Sequence, residues 1–218
     1  MRHVSGLTLA VSLGALPVVA EAKEAARPPI TGISHIAVYA RDMAASDHFY
    51  GHILGGKKAP NPEDPTGARY YFGPHQFVEI LPAPPTLGAS MLAHVAYTTS
   101  DAAGLSKHFA NGGIRASAVQ RGENSSRWFA VKDPEGNEVR FVQSGTPAEP
   151  APTAISGRII HVGYLVRSRS AEDAFYRKVL GFRPYWYGAM KPDAIDWISQ
   201  QVPDGTDWLE YMLSLIHI

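Results

Sequence analysis

The chain has 218 residues, 45% of them apolar, which suits one large or two small folded domains and excludes a disordered polar chain. Lys plus Arg and Asp plus Glu both number 20, so the charge balance draws the protein neither to nucleic acid nor to an anionic membrane. There is no cysteine, which removes disulfides and thiolate ligands; a metal would have to sit on imidazole and carboxylate.

Residues 1–22 read as a secretory signal peptide. Arg2 and His3 precede an apolar stretch, and Ala20-Glu21-Ala22 has the small-x-small form of a cleavage site. Ser12, Gly14 and Pro17 interrupt that stretch and argue against an uncleaved membrane anchor. The mature protein is therefore expected to be exported, periplasmic or extracellular, with no membrane attachment after cleavage. A first strand is predicted over 33–40, where β-branched and aromatic residues alternate. Asp42 then caps a helix in which Met43, Phe49, Tyr50, Ile53 and Leu54 recur at helical spacing, and Gly55-Gly56 stops it. Strands follow over 57–60, 68–72 and 76–81.

The order strand, helix, three strands then returns. A strand at 91–98 leads to a helix at 101–111, a Gly112-Gly113 stop, and strands at 114–119, 127–131 and 138–143. Together, 30–144 make a first domain of two βαβββ modules. A linker rich in Pro and Ala, 145–157, is expected to run extended and separate domains. A third round occupies 158–214, with a helix at 171–180 and strands at 182–187, 195–201 and 208–213. The tail 215–218 reads as non-native sequence, so His217 is not taken for a ligand.

A shift of 126 residues lays His35, Asp47, Phe49, Tyr50, Leu54 and Gly55 onto His161, Asp173, Phe175, Tyr176, Leu180 and Gly181 without a gap. Agreement at positions of such different chemistry means that one supersecondary unit has been copied. The fold class is α+β, built of tandem βαβββ modules.

Each unit carries a histidine in its first strand: His35, His94 and His161. The first and third also carry a glutamate in the last strand, Glu79 in Phe77-Val78-Glu79-Ile80 and Glu210 in Trp208-Leu209-Glu210-Tyr211. If Val78 and Ile80 face a helix-covered core, the two-residue strand period turns Glu79 to the other side of the sheet. A carboxylate in such a hollow is costly unless it is paired or coordinated. With a histidine beside it, the donor set suits Zn, Fe, Mn, Ni or Co.

These units resemble the βαβββ modules of the vicinal oxygen chelate superfamily of glyoxalases, extradiol dioxygenases and bleomycin-resistance proteins. The turn Asp133-Pro134-Glu135-Gly136-Asn137 is similar to that family's Asp-Pro-Asp-Gly-Asn turn before the last strand. The resemblance implies that modules one and two close into an open barrel around a divalent metal held by His35, Glu79 and His94. It also implies that His161 and Glu210 are half of a second ligand set. The third module is then unpaired, in a chain that reads as cut short near Leu213. The family's fourth ligand, a glutamate four residues after the turn glycine, falls here on Arg140. Glu138, on the same strand face, is one substitute; Arg140 itself offers a partner for a substrate carboxylate, or a salt bridge in a barrel without metal.

The resemblance implies a small-molecule substrate chelated through neighbouring oxygens, with Glu79 as ligand and base. The activity the resemblance implies is a glyoxalase-like lyase or isomerase, or a ring-cleaving dioxygenase. A non-catalytic sequestration protein is the alternative, and a homodimer is left open. His48 and His52 stand one helical turn apart, but Phe49 occupies the place of a zinc-peptidase glutamate, so a solvated face is expected. Tyr70, Tyr71, Trp128, Trp186 and Trp197 are expected in the core more than in a pocket. His75 is expected in a loop.

Overall fold

The computed structural model describes residues 27–88, 90–149 and 151–213. The expected signal peptide and the 215–218 tail lie outside the described residues. Two sheets carry the fold, one of eight strands curled into a half-barrel and one of four.

In the first module β1 (Ile30–Ala40) leads through α1 (Met43–Asp47) to β2 (Lys57–Pro60), β3 (Ala68–Tyr71) and β4 (Phe77–Pro82). The Asp42 side chain caps α1 by accepting from the Ala45 amide at 2.9 Å. The helix continues as a π-helical turn, His48–Ile53, and ends at Gly55, whose φ of +70° suits a residue without a Cβ. The wider turn changes which residues face inward. Met43, Tyr50 and Leu54 pack on the sheet, whereas Phe49 and Ile53, expected in the same apolar stripe, are exposed. Tyr70, at 1% exposure, belongs to this core, and its hydroxyl donates to Asp47 at 2.6 Å.

The second module repeats the plan with β5 (Leu92–Thr99), α2 (Ala102–Asn111), β6 (Gln120–Arg121), β7 (Arg127–Lys132) and β8 (Glu138–Gln143). The strand expected over 114–119 does not form. Ala116 makes a single bridge to Val131, and the Ser117 hydroxyl accepts from the Ala130 amide at 2.9 Å where a ladder bond would otherwise continue. The Asp133 turn is held by that side chain, which accepts from the amides of Glu135 and Asn137, with Gly136 at φ +88°.

The strand order of the large sheet is β2-β3-β4-β1-β5-β8-β7-β6. In both modules the first strand lies parallel to the last, β1 with β4 and β5 with β8. The modules join where β1 runs antiparallel to β5. Along β4 and β5, Val78, Ile80, Val95 and Tyr97 point into the helix-side cores, so Glu79 and His94 take the concave side.

The third module has β9 (His161–Val166), α3 (Arg169–Glu172) running into a π-helical turn Asp173–Val179, β10 (Arg183–Gly188), β11 (Trp197–Gln201) and β12 (Trp208–Leu213). The π-turn recurs where the sequence repeat places it. Its sheet order is β10-β11-β12-β9, again with the first and last strands parallel. The helix-side faces of modules two and three share one core, in which Phe182 meets Tyr97 edge-on at 5.2 Å between ring centroids. Asp204 and Asp207 accept from the amides of Ile30 and Ile33 in β1.

The linker is not a free spacer. Ala148 donates its amide to Pro74, Thr153 its hydroxyl to the Gly55 carbonyl, and the Gln76 side chain bridges Ile33 and Ile159. It turns at Pro152-Thr153, where the Ala154 amide donates to Ala151, and its contacts to the first module lie on both sides of that turn.

Candidate metal centre

Strand register builds the site. One row across the concave face reads Arg69, Glu79, Ala37, His94, Glu138, Lys132; the next reads Tyr71, Phe77, His35, Ala96, Arg140, Ala130. Ala37 stands between Glu79 and His94, and its single methyl lets their side chains converge above it. His35 enters from the next row.

His35 Nε2 and His94 Nε2 lie 3.0 Å apart, and His94 Nε2 lies 3.3 Å from Glu79 Oε2. One donor atom from each of the three residues falls within 4.8 Å of the others. Relative exposures are 4% for His35, 1% for Glu79 and 3% for His94. The Ser34 hydroxyl lies 3.2 Å from His35 Nδ1, and the imidazole stacks on Phe77 at 4.3 Å, so the ring is held on two sides. The sequence placed all three residues together by resemblance, and the fold brings them together.

Burial pushes His35 well below the usual imidazole range, and the neighbouring His94, Arg69 and Arg140 add to the effect. Burial also lowers His94, against the opposing pull of Glu79. Both rings are therefore neutral at neutral pH and offer lone pairs. Burial raises Glu79, but His94, Arg69 and Arg140 outweigh it and leave the carboxyl below its ordinary value, hence ionised.

The donor set can be tested against an ion. Donors about 2.1 Å from one metal and at right angles stand about 3.0 Å apart, close to both observed spacings. The alternative, a hydrogen-bonded trio, is short of protons: one Nε2–H on His94 cannot serve both His35 and Glu79. Among the described residues Glu79 Oε2 has no aligned hydrogen-bond partner, an orphan that a cation would satisfy. The residues fit one divalent ion.

Around this centre sit two arginines that differ in how far the sequence revealed them. Arg140, at the fourth-ligand position, makes ion pairs with Glu138 at 2.8 Å and Glu63 at 2.7 Å, and its guanidinium lies over Trp128. Glu138 pairs with Arg140 and Lys132 and stands outside the three-residue cluster, so it does not stand in for the missing ligand. Arg69 was missed. It reaches Glu79 Oε1 at 3.4 Å and Glu63 Oε1 at 2.9 Å while its guanidinium covers Phe77. Its signal was the alternation in Ala68-Arg69-Tyr70-Tyr71, which puts Arg69 and Tyr71 on the face opposite Tyr70. Glu63, on the loop between β2 and β3, left no periodic signal. Tyr71, Phe77, Trp128 and the two arginines border a cleft of about 600 Å³, its open mouth included. Tyr71 and Trp128 thus line a pocket where core positions were expected, and His75 is an exposed loop residue on its rim.

His161 and Glu210 occupy the corresponding positions of the third module, 4.0 Å apart, with Ser199 donating to Glu210 at 3.3 Å. No third imidazole or carboxylate joins them among the described residues. Trp186 is exposed beside this pair, and Trp197 is partly buried. His48 and His52 are both exposed, with ring centroids 5.6 Å apart, as expected of a solvated face.

Comparisons with solved structures agree with this architecture. The 2,3-dioxygenase LapB from Pseudomonas sp. KL28 is similar over 86% of this chain and 72% of its own, at 16% identity and a TM-score of 0.64. Homoprotocatechuate 2,3-dioxygenase from Brevibacterium fuscum, in a complex with 3,4-dihydroxyphenylacetate, is similar over 88% of this chain and 63% of its own, at 16% identity and a TM-score of 0.65. The Arthrobacter globiformis homoprotocatechuate 2,3-dioxygenase gives 15% identity and a TM-score of 0.66 over 88% of this chain and 62% of its own. The chain thus spans under two thirds of the last two. At such identities the likeness is one of fold. No curated protein matches the chain. Residues 32–141, half of the chain, match the Glyoxalase/Bleomycin resistance protein/Dioxygenase superfamily, and the chain belongs to that family.

Proposed function

We propose that the first barrel holds one divalent ion on His35, Glu79 and His94 and acts as a ring-cleaving dioxygenase on a small aromatic substrate, with lyase chemistry as the nearest relative. The observation that carries this reading is the buried triangle of two neutral imidazoles and one ionised carboxylate. Two histidines and one carboxylate are the donor set of non-haem iron(II) oxygenases; zinc, manganese and nickel also suit it. When bound, the ion supplies a Lewis acid for neighbouring substrate oxygens and, if it is iron, a redox centre.

The protein's own groups do the rest. Ser34 and Phe77 fix the His35 ring, and Arg69 holds Glu79 Oε1 so that Oε2 stays free. That oxygen is then available to the ion, beside His35 and His94. Arg140 stands where a fourth ligand would stand in the family, which keeps one side of the centre open. The walls of Tyr71, Phe77 and Trp128 suit a flat ring. The test is reconstitution with iron(II), zinc, manganese and nickel, followed by oxygen-uptake and absorbance screens with catechols and 2-oxoaldehydes. Oxygen uptake with a catechol is expected; no turnover with any metal would sink the reading.

One observation favours sequestration instead. Arg69 neutralises Glu79 without an ion, so the barrel can stand empty of metal. Metal content below about 0.1 equivalent after reconstitution, unchanged by His35→Ala or Glu79→Ala, would support that reading. We also propose export. A mature amino terminus at Lys23 would support it, and retention of Met1 in the folded protein would contradict it.

A further inference from the structure

Glu63 is the residue that neither strand pattern nor metal centre requires, yet it bridges the two guanidinium groups of the cleft. Its Oε1 lies 2.9 Å from Arg69 Nη2 and its Oε2 lies 2.7 Å from Arg140 Nη1. A planar carboxylate thus already occupies a place between two cations whose side chains are only 7% and 16% exposed. Among the described residues, two buried donors on side chains that line the same cleft have no acceptor, Arg69 Nε and Trp128 Nε1. Buried N–H groups without partners are costly, and they ask for an oxygen-rich ligand. The surfaces beside them are aromatic, with Phe77 under Arg69 at 4.7 Å and Trp128 under Arg140 at 4.2 Å.

We propose that the cleft selects a small aromatic carboxylate, and that Glu63 holds the position of the ligand's carboxylate until the ligand displaces it. This rests on reading the same cleft as the substrate site. Exchange of one carboxylate for another conserves charge. Withdrawal of Glu63 in favour of a neutral ring would leave two poorly solvated guanidinium groups short of a counter-ion, a penalty that discriminates against neutral compounds. The loop allows the exchange. Its own turn is set by Asn61 Oδ1 accepting from the Glu63 amide and by Asp64 accepting from Thr66, so the Glu63 side chain is free to swing outward without undoing either bond.

Calorimetric titration of the full chain, metal-free and metal-loaded, with benzoate, its neutral isostere benzamide and inorganic phosphate tests this. Benzoate is expected to bind at least about tenfold more tightly than benzamide or phosphate. Glu63→Gln removes the competing charge and is expected to tighten benzoate about tenfold, and to relieve the penalty on benzamide as well, so that benzoate remains the tighter ligand. Arg140→Gln is expected to abolish the preference; if that variant does not fold, the wild type and Glu63→Gln still decide. Equal binding of benzoate and benzamide, phosphate binding as tight as benzoate, or no response to Glu63→Gln would each overturn the proposal. Metal stoichiometry in the same samples separates the two readings. One bound ion without benzoate preference removes the carboxylate subsite alone. Benzoate preference without metal binding supports the subsite and removes the metal reading.

Discussion

The first and third modules present the same pair of residues in opposite circumstances. His35 and His161 both stack on the aromatic residue facing them across the parallel pair, Phe77 at 4.3 Å and Trp208 at 3.7 Å. That much is built into a single module. Burial is not. His35 and Glu79 are sealed at 4% and 1% exposure, whereas the side chains of His161 and Glu210 are 38% and 14% exposed. What differs is the neighbouring strand: β5 lies along β1 and brings His94 over Ala37, while β9 has no partner on its outer edge among the described residues. A module therefore supplies half a site, and strand pairing supplies the rest.

The contrast can be broken most directly with His94→Ala, the residue the third module has no equivalent of. Elemental analysis is expected to fall from about one ion per chain to below about 0.1, while Glu210→Ala leaves the content unchanged. Equal losses in both variants would mean that the two half-sites are alike.

Stability should separate the modules next. Arg69→Met leaves Glu79 buried without its cation and is expected to lower metal-free stability by about 3–5 kcal/mol in urea unfolding, with much of the loss recovered on adding metal.

A further contrast lies where modules two and three meet. Glu172 is fully buried, with neither carboxylate oxygen partnered among the described residues, and burial beside Asp133 and Glu135 pushes it up to about 8. In the folded state it is protonated where the unfolded chain is already ionised. Its stabilising contribution is complete below the ordinary glutamate range and is lost as pH rises toward about 8. Glu172→Gln should remove that decline, worth on the order of 5 kcal/mol across the window. The difference between wild-type and variant unfolding curves, pH by pH, excludes the contributions of His35 and His94. At the small end, Leu165→Ser on the bare face of β9, where Leu165 is 71% exposed, should shift stability by no more than about 0.5 kcal/mol. A large loss would show that this face is covered in solution.

The strands and their repetition were legible because two-residue alternation and a copied unit both survive in one sequence. The helices were legible only in position. A π-helical turn inserts no special residue, so nothing in Phe49 or Ile53 announced that the wider turn would expose them. Likewise, the 114–119 segment carries strand-like residues, but the Ser117 hydroxyl replaces the next ladder bond. At the site, strand alternation singled out the histidines and Glu79, and the family resemblance joined His35, Glu79 and His94 into one set. Arg69 needed the pairing of β3 with β4, and Glu63 needed the return of a loop over the cleft; both are tertiary facts.

Anomalous diffraction from crystals grown with cobalt(II) tests the central claim most directly. The account expects one strong peak bonded to His35 Nε2, His94 Nε2 and Glu79 Oε2. A peak confined to the exposed His48 and His52, or none near the three buried donors, would contradict it.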